Sequence, residues 1–231
     1  MAKHLEKLKK ELTQEKQKEQ AKKESEAEQK QECFSEKRWL TDKEIDWMTD
    51  RMAKNDKFKI LPTHQFHYVK KTKGTAEANA HLAFPELLTE LTGFSGELVF
   101  IPVNNPDFHW SLLVYQVKNQ KFWHYDTCRG ANYNYIQDLV RELLQQIHQT
   151  NDPDLDKYLV PQHDIRQGNG SDCGVAVIAI IKRIIELTIK QSWMDKLKYG
   201  TFQLGDDLGK FDFIKDREES RAEYLQENGT N

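Results

Sequence analysis

Cysteine, histidine and aspartate are the residue types that make a thiol nucleophile, its general base and the carboxylate that orients the base. Cys173 lies in Gln167-Gly-Asn-Gly-Ser-Asp-Cys-Gly174, a polar loop that runs straight into an apolar stretch. If that stretch is a helix, the thiol meets unpaired N–H groups and the positive end of the helix dipole. Both favour the thiolate, which is the nucleophilic form. A cysteine among apolar residues is more often a small core side chain, so this local argument leaves the role open. His109 opens the segment Phe108-His-Trp-Ser111, and Asp126 closes Trp123-His-Tyr-Asp-Thr127. His124, two residues from Asp126, is a rival base, although an interior strand position suits packing better. Gln167, six residues before Cys173, could donate with the Cys173 N–H to a developing oxyanion. It reads equally well as a loop glutamine in water.

These side chains can meet only if the elements carrying them are suitably placed. Ser111–Val117 and Lys121–Tyr125 alternate like strands around the short turn Lys118-Asn119-Gln120, a hairpin pattern. In an antiparallel pair the start of the first strand lies beside the end of the second. His109 and Asp126 then fall at the same end, with the carboxylate able to hold the imidazole in one tautomer. Residues 97–103 read as a buried strand stopping at Asn104-Asn105-Pro106, and 158–161 as another. The run 174–181, continued by Ile184, Ile185, Leu187 and Ile189, is rich in β-branched residues, yet far too long for one strand. A largely buried helix starting near Cys173 is expected. Ile136, Leu139, Val140, Leu143, Leu144 and Ile147 mark an amphipathic helix over 134–148, and Ile45, Met48 and Met52 mark another over 41–54. The second begins at Thr41 with Glu44 three positions on, a capping-box pattern. The sum is an α+β fold, a small central sheet with helices on both sides.

The 231 residues divide by composition into three zones. Residues 1–32 lack Gly, Pro and aromatic residues and consist largely of Lys, Glu and Gln. They read as a charged arm, partly helical or disordered, without a core of its own. Leu5, Leu8 and Leu12 form one short apolar stripe that could dock on a partner. Residues 33–204 form the folded body. Residues 205–231 are a polar, acidic tail with Phe211, Phe213 and Ile214 as its strong anchors, and a frayed terminus is its default reading.

Cys33, Cys128 and Cys173 make neither a CxxC pair nor ligand spacing with His. Neither a disulfide scaffold nor a metal site is expected, and no cofactor is implied. The expected compartment is reducing and cytoplasmic. No apolar run is long enough to span a bilayer, and the sequon at Asn228 is not expected to be glycosylated. A net charge of −3 with 31% charged residues offers no field for nucleic acid.

His109-Trp-Ser-Leu-Leu-Val-Tyr115, Phe122-Trp-His-Tyr-Asp126 and Gln167-Gly-Asn-Gly-Ser-Asp-Cys-Gly174 together resemble the Ulp/SENP-type cysteine peptidases of clan CE, in motif, order and spacing. Trp39-Leu-Thr-Asp42 is similar to the family's early Trp-Leu-x-Asp motif. The first two blocks are closest to the deneddylase branch and the loop before Cys173 to the SUMO-protease branch. Bacterial effectors of this fold that act on ubiquitin are a third source of likeness. The resemblance, over about 39–190, implies a thiol isopeptidase cutting after the Gly-Gly tail of ubiquitin or a ubiquitin-like modifier. It implies Cys173 as nucleophile, His109 as general base then acid, Asp126 orienting His109, and Gln167 in the oxyanion hole. Trp39 and Trp110 would close an aromatic channel over the two glycines, which alone lack side chains that clash there. Asp42 would reach a basic residue on the modifier's globular surface. Residues 55–96, including Lys70-Lys71-Thr-Lys73-Gly74, align with no branch, so the modifier is left among ubiquitin, SUMO and the neddylation modifier, with ubiquitin favoured. A monomeric bacterial effector working in host cytoplasm fits the mixture of features by analogy. Two other classes fit the same residues less well: a clan CE acetyltransferase, which needs no Gly-Gly channel, and an inactive modifier binder.

Overall fold

The computed structural model describes residues 14–20, 22, 34–35, 37–52, 56–63, 84–105, 108–147, 154–162, 165–189 and 211–228. Residues 14–20 of the charged arm are helical and exposed. The leucine stripe at 5–12 and the lysine cluster at 70–73 lie outside the described residues.

The hairpin expected around Lys118–Gln120 is the centre of the molecule. Strands β1 (Phe58–Ile60), β2 (Leu98–Asn105), β3 (His109–Gln116), β4 (Lys121–Tyr125) and β5 (Leu159–Gln162) form one sheet in sequence order. The β2–β3 and β3–β4 pairs are antiparallel, while β1–β2 and β4–β5 are parallel. In the β3–β4 register Gln116 faces Lys121 and Leu112 faces Tyr125. Gln120 closes the turn with φ of 55°, in the left-handed region.

Every residue of β3 is buried, because both faces of the sheet are covered. On one face Phe100, Leu112, Val114 and Tyr125 pack with Val175, Ile178 and Ile181 of helix α4 (Cys173–Thr188). On the other, Ile101, Leu113 and Phe122 pack with Ile136, Val140 and Leu143 of α3 (Tyr133–Ile147). The period of two in the strands therefore sorts side chains into two cores. Helix α4 is buried on nearly every side, which explains why its sequence shows no polar stripe.

Helix α1 (Asp42–Met52) starts as the capping pattern predicts: the Thr41 N–H donates to Glu44 Oε2 at 2.7 Å. The span 55–96, for which the sequence suggested no element, holds β1 and α2 (Phe84–Thr92). The frayed-terminus reading of the tail is overturned for Phe213–Asn228, which forms helix α5. Phe213, Arg217, Ser220 and Tyr224 recur at helical spacing. Phe213, Arg217 and Ser220 are buried, and the Tyr224 ring packs 4.9 Å from Trp47 and 5.8 Å from Phe34. Two of the three buried positions are Arg and Ser, so no apolar period marks this helix in the sequence. Among the described residues no helix is long and apolar enough to cross a membrane.

Candidate active site

His109 is the first residue of β3, and Asp126 follows the last residue of β4. The antiparallel register brings them together: His109 Nε2 donates to Asp126 Oδ1 at 2.9 Å. The pair is closed to water, with His109 3% exposed and Asp126 fully buried. Asp126 Oδ1 also accepts the Cys128 N–H, and Oδ2 the Asn132 N–H, each at 2.8 Å. Burial alone would raise the Asp126 pKa. The hydrogen bond and charge of His109, with the two backbone donors, outweigh it and bring the carboxyl down to about 2.

Cys173 begins α4 and is 1% exposed. Cys173 acts on the His109 ring and raises its pKa. With Nε2 committed to Asp126, Nδ1 is the nitrogen left for the thiol. Burial pulls the His109 pKa down, but hydrogen bonds to Asp126 and Cys173 and their charges carry it up to about 9. The imidazolium is therefore the resting form at neutral pH, ready to hand a proton to a leaving group.

Gln167 stands on the same loop. Its Oε1 accepts the Thr127 hydroxyl at 2.6 Å, and Nε2 donates to Asn169 O at 2.6 Å. A side-chain amide nitrogen has two hydrogens; Asn169 takes one. The loop glutamine is thus tied to Thr127, the residue after Asp126, rather than loose in water.

Trp110 is buried at 3% exposure, and its Nε1 donates to Leu40 O at 2.9 Å. Its neighbour across that bond, Trp39, is 39% exposed. A Cβ added at Gly174 would lie 2.9 Å from Leu40 Cβ, so the first turn of α4 presses directly on the Trp39–Leu40 segment. Both tryptophans are thereby linked through Leu40 to the start of α4, one as a wall and one at the surface. Asp42, half-buried in the first turn of α1, accepts a hydrogen bond from Asn104 Nδ2 at 3.4 Å. His124 is fully buried and stacks on Tyr133 at 6.2 Å, on the α3 face away from Cys173. It packs rather than joining the cluster.

Sequence reasoning missed Asn132. This buried residue donates through Nδ2 to Ser111 Oγ at 3.0 Å and His109 O at 3.4 Å, and accepts from Asn105 Nδ2 at 3.1 Å. It ties the β2–β3 end to the Asp126 loop. Gly130, with φ of 80°, turns that loop back on itself. The only available signal was an Asn directly before a helical pattern. Among the described residues no group of three or more His, Cys, Asp or Glu side chains could hold a metal.

The family description "Ulp1 protease family, C-terminal catalytic domain" matches residues 38–200. The chain belongs to this family of cysteine peptidases. Among curated relatives, the probable sentrin-specific protease 8 of Dictyostelium discoideum is 33% identical over 112 residues, covering 43% of this chain and 45% of the relative. The ubiquitin-like-specific protease 1A of Arabidopsis thaliana is 26% identical over 174 residues, covering 68% of this chain and 34% of the relative. The chain thus spans less than half the length of the curated relatives it matches. The Xanthomonas campestris effector protein XopD bound to ubiquitin superposes with a TM-score of 0.56 at 20% identity, covering 82% of this chain and 91% of that one. The Ulp1 protease domain in complex with Smt3, the yeast orthologue of SUMO, gives 0.52 at 17% identity over 85% and 80%. The five-stranded mixed sheet with flanking helices is the Ulp1 protease fold, with Cys173 buried at the start of a helix. Helix α5 lies beyond the span matched to the family.

Proposed function

We propose that this chain is a thiol isopeptidase that hydrolyses the bond following the C-terminal Gly-Gly of ubiquitin or a ubiquitin-like modifier. The observation that carries the reading is the buried His109–Asp126 pair at 2.9 Å, whose imidazole pKa Cys173 helps to raise. The Cys173 thiolate attacks the terminal glycine carbonyl. The tetrahedral oxyanion takes the Cys173 N–H and the second amide hydrogen of Gln167. His109 gives its proton to the departing lysine amine, leaving a thioester on Cys173. Water, deprotonated by His109, then attacks the thioester and frees the modifier, and the sulfur leaves as thiolate beside the restored imidazolium. Asp126 keeps His109 in one orientation throughout and stabilises its imidazolium.

Trp39 and Trp110 supply the Gly-Gly filter from the surface and the wall of the cleft. Asp42, three residues from Trp39 in the first turn of α1, supplies an acidic contact for a basic patch on the modifier. Ubiquitin is the favoured modifier, supported by the likeness to the ubiquitin-bound effector XopD. The likeness to sentrin- and SUMO-directed relatives keeps SUMO and the neddylation modifier as the competing choices. The chain acts as a monomer, in host cytoplasm if it is a secreted effector. Residues 1–32 serve as an appended arm, and the catalytic unit takes in 33–204 together with helix α5, which packs into the same core. The test is a panel of ubiquitin, SUMO and neddylation-modifier probes bearing a C-terminal electrophile. Wild type should label, ubiquitin fastest, and Cys173→Ala should not. Labelling that survives the substitution sinks the assignment, and faster labelling by another probe replaces ubiquitin.

A further inference from the structure

Asp172 sits immediately before the nucleophile, at the N-cap of α4, with φ −87° and ψ 5°. An N-cap aspartate normally accepts a hydrogen bond from an N–H in the first helical turn. Here the side chain makes no cap hydrogen bond. Its Oδ1 is taken instead by Arg217 of α5, with Nε at 2.8 Å and Nη2 at 2.7 Å, and its Oδ2 by Asn169 Nδ2 at 2.7 Å. Both charged side chains are almost wholly buried, 4% and 3% exposed.

Arg217 spends its remaining donors on the same neighbourhood. Nη2 also donates to Ser171 O at 2.8 Å, and Nη1 donates to Ser35 O at 2.9 Å and Arg38 O at 3.0 Å. The guanidinium thus makes four hydrogen bonds and one further ion-pair contact with Asp172. They join the loop before Cys173 to the segment that leads into Trp39. The connection continues inward. Asn169, which holds Asp172, accepts from Gln167 Nε2 through its carbonyl, and Gln167 accepts from Thr127 beside Asp126.

We propose that Arg217 is a positioning residue for the nucleophile and the oxyanion site. It holds the Asp172 carboxylate away from the N–H groups that open α4, leaving them to stabilise negative charge on Cys173 and on the attacked carbonyl. Released from Arg217, the carboxylate would do what N-cap aspartates do and occupy those donors. It would also place an uncompensated negative charge next to a thiolate, which repels it. The C-terminal helix is in this sense part of the active site, although it touches no reacting atom.

This rests on the assignment of Cys173 as nucleophile, and the experiment separates the two. In the full chain, kcat and KM are measured on a fluorogenic modifier substrate for wild type, Arg217→Met, Asp172→Ala/Arg217→Met and Tyr224→Ala, with melting temperatures alongside. Arg217→Met should lose about a hundredfold in kcat, the scale of one lost oxyanion donor, with KM changed far less. Removing the stray carboxylate should return most of that loss, so the double variant outruns Arg217→Met. Tyr224→Ala loosens the same helix from Trp47 and Phe34 without touching the guanidinium, and should keep its kcat. If Arg217→Met does not fold, Arg217→Gln with and without Asp172→Ala gives the same comparison. A folded Arg217 variant with wild-type kcat, or a double variant no faster than the single one, overturns the inference. Wild type that labels with no electrophilic modifier removes instead the reading of Cys173 on which it stands.

Discussion

Asp126→Asn separates charge from shape at the centre of the site. The His109 pKa rises from 6.5 to about 9 against the opposing effect of burial. At about 1.4 kcal/mol per pH unit this is about 3 kcal/mol in favour of the imidazolium, shared among Asp126, Cys173 and their hydrogen bonds. Asparagine keeps an acceptor for Nε2–H but carries no charge. With Cys173 alone left to oppose burial, the His109 pKa should fall toward its ordinary 6.5. At pH 8 the imidazolium fraction drops from about nine-tenths to a few hundredths, and with it the supply of protons to the leaving amine. The basic limb of kcat/KM should therefore move from about pH 9 to below 7.

Stability should change as well, with a distinct pH signature. Asp126 accepts from His109 and Cys128 on Oδ1 and from Asn132 on Oδ2. In either orientation an amide sets its NH2 against at least one of these donors, an unmet buried group costing about 1–3 kcal/mol. The wild-type contributions run in opposite directions. His109, with its raised pKa, stabilises fully below about 6.5 and loses this as pH rises through about 9. Asp126, with its lowered pKa, stabilises fully above 3.8 and loses this as pH falls through about 2. The pair contributes most between these limits, and the Asn variant should flatten the melting temperature across both. A fluorogenic pH–rate profile and a melting series in matched buffers are sufficient. A basic limb that stays near pH 9 in Asp126→Asn refutes the electrostatic reasoning.

Trp39→Ala should raise KM for a modifier substrate while shifting stability by no more than about 0.5 kcal/mol, as an exposed side chain would; a steady-state assay with a melting curve checks both. Trp110→Phe removes the bond to Leu40 O, costing about 1 kcal/mol, and should lower kcat/KM for the modifier while iodoacetamide alkylates Cys173 at the wild-type rate. Unchanged cleavage would remove Trp110 from the channel. Gly174→Ala forces a methyl against Leu40, an overpacking penalty of about 1–3 kcal/mol, and should raise KM through the displaced Trp39 segment, read by the same two measurements.

What was legible in the sequence was what lies close along it. His109 and Asp126 are joined by one hairpin, and the period of two in its strands is enough to place them at a common end. Helix α4 was legible because its length excluded a strand despite its β-branched residues. The helix start at Cys173 followed from the polar loop before it. Helix α3 and the Thr41–Glu44 cap carried equally local signals. Bringing Cys173 to the hairpin required the resemblance, since no pattern within either segment states which sheet end a distant helix will face.

The illegible parts depend on polar contacts between segments far apart. Asn132 is a plain helix-start asparagine until the loop from Asp126 folds back and gives its amide three partners. Arg217 looks like one charge among many in an acidic tail, and its burial is intelligible only with Asp172, Ser35 and Arg38 around it. A buried ion pair of this kind gains little stability over apolar packing, so it leaves no apolar trace for sequence reasoning to follow. What it does provide is orientation, because a guanidinium held by four hydrogen bonds fixes the loop before Cys173 in one place. The residues that perform the chemistry were therefore readable as types in local patterns, whereas the residues that aim them were readable only as contacts. That division follows from the physics. Reactivity needs particular side chains at element ends, while aiming can be done by any polar group that reaches from wherever the chain has space.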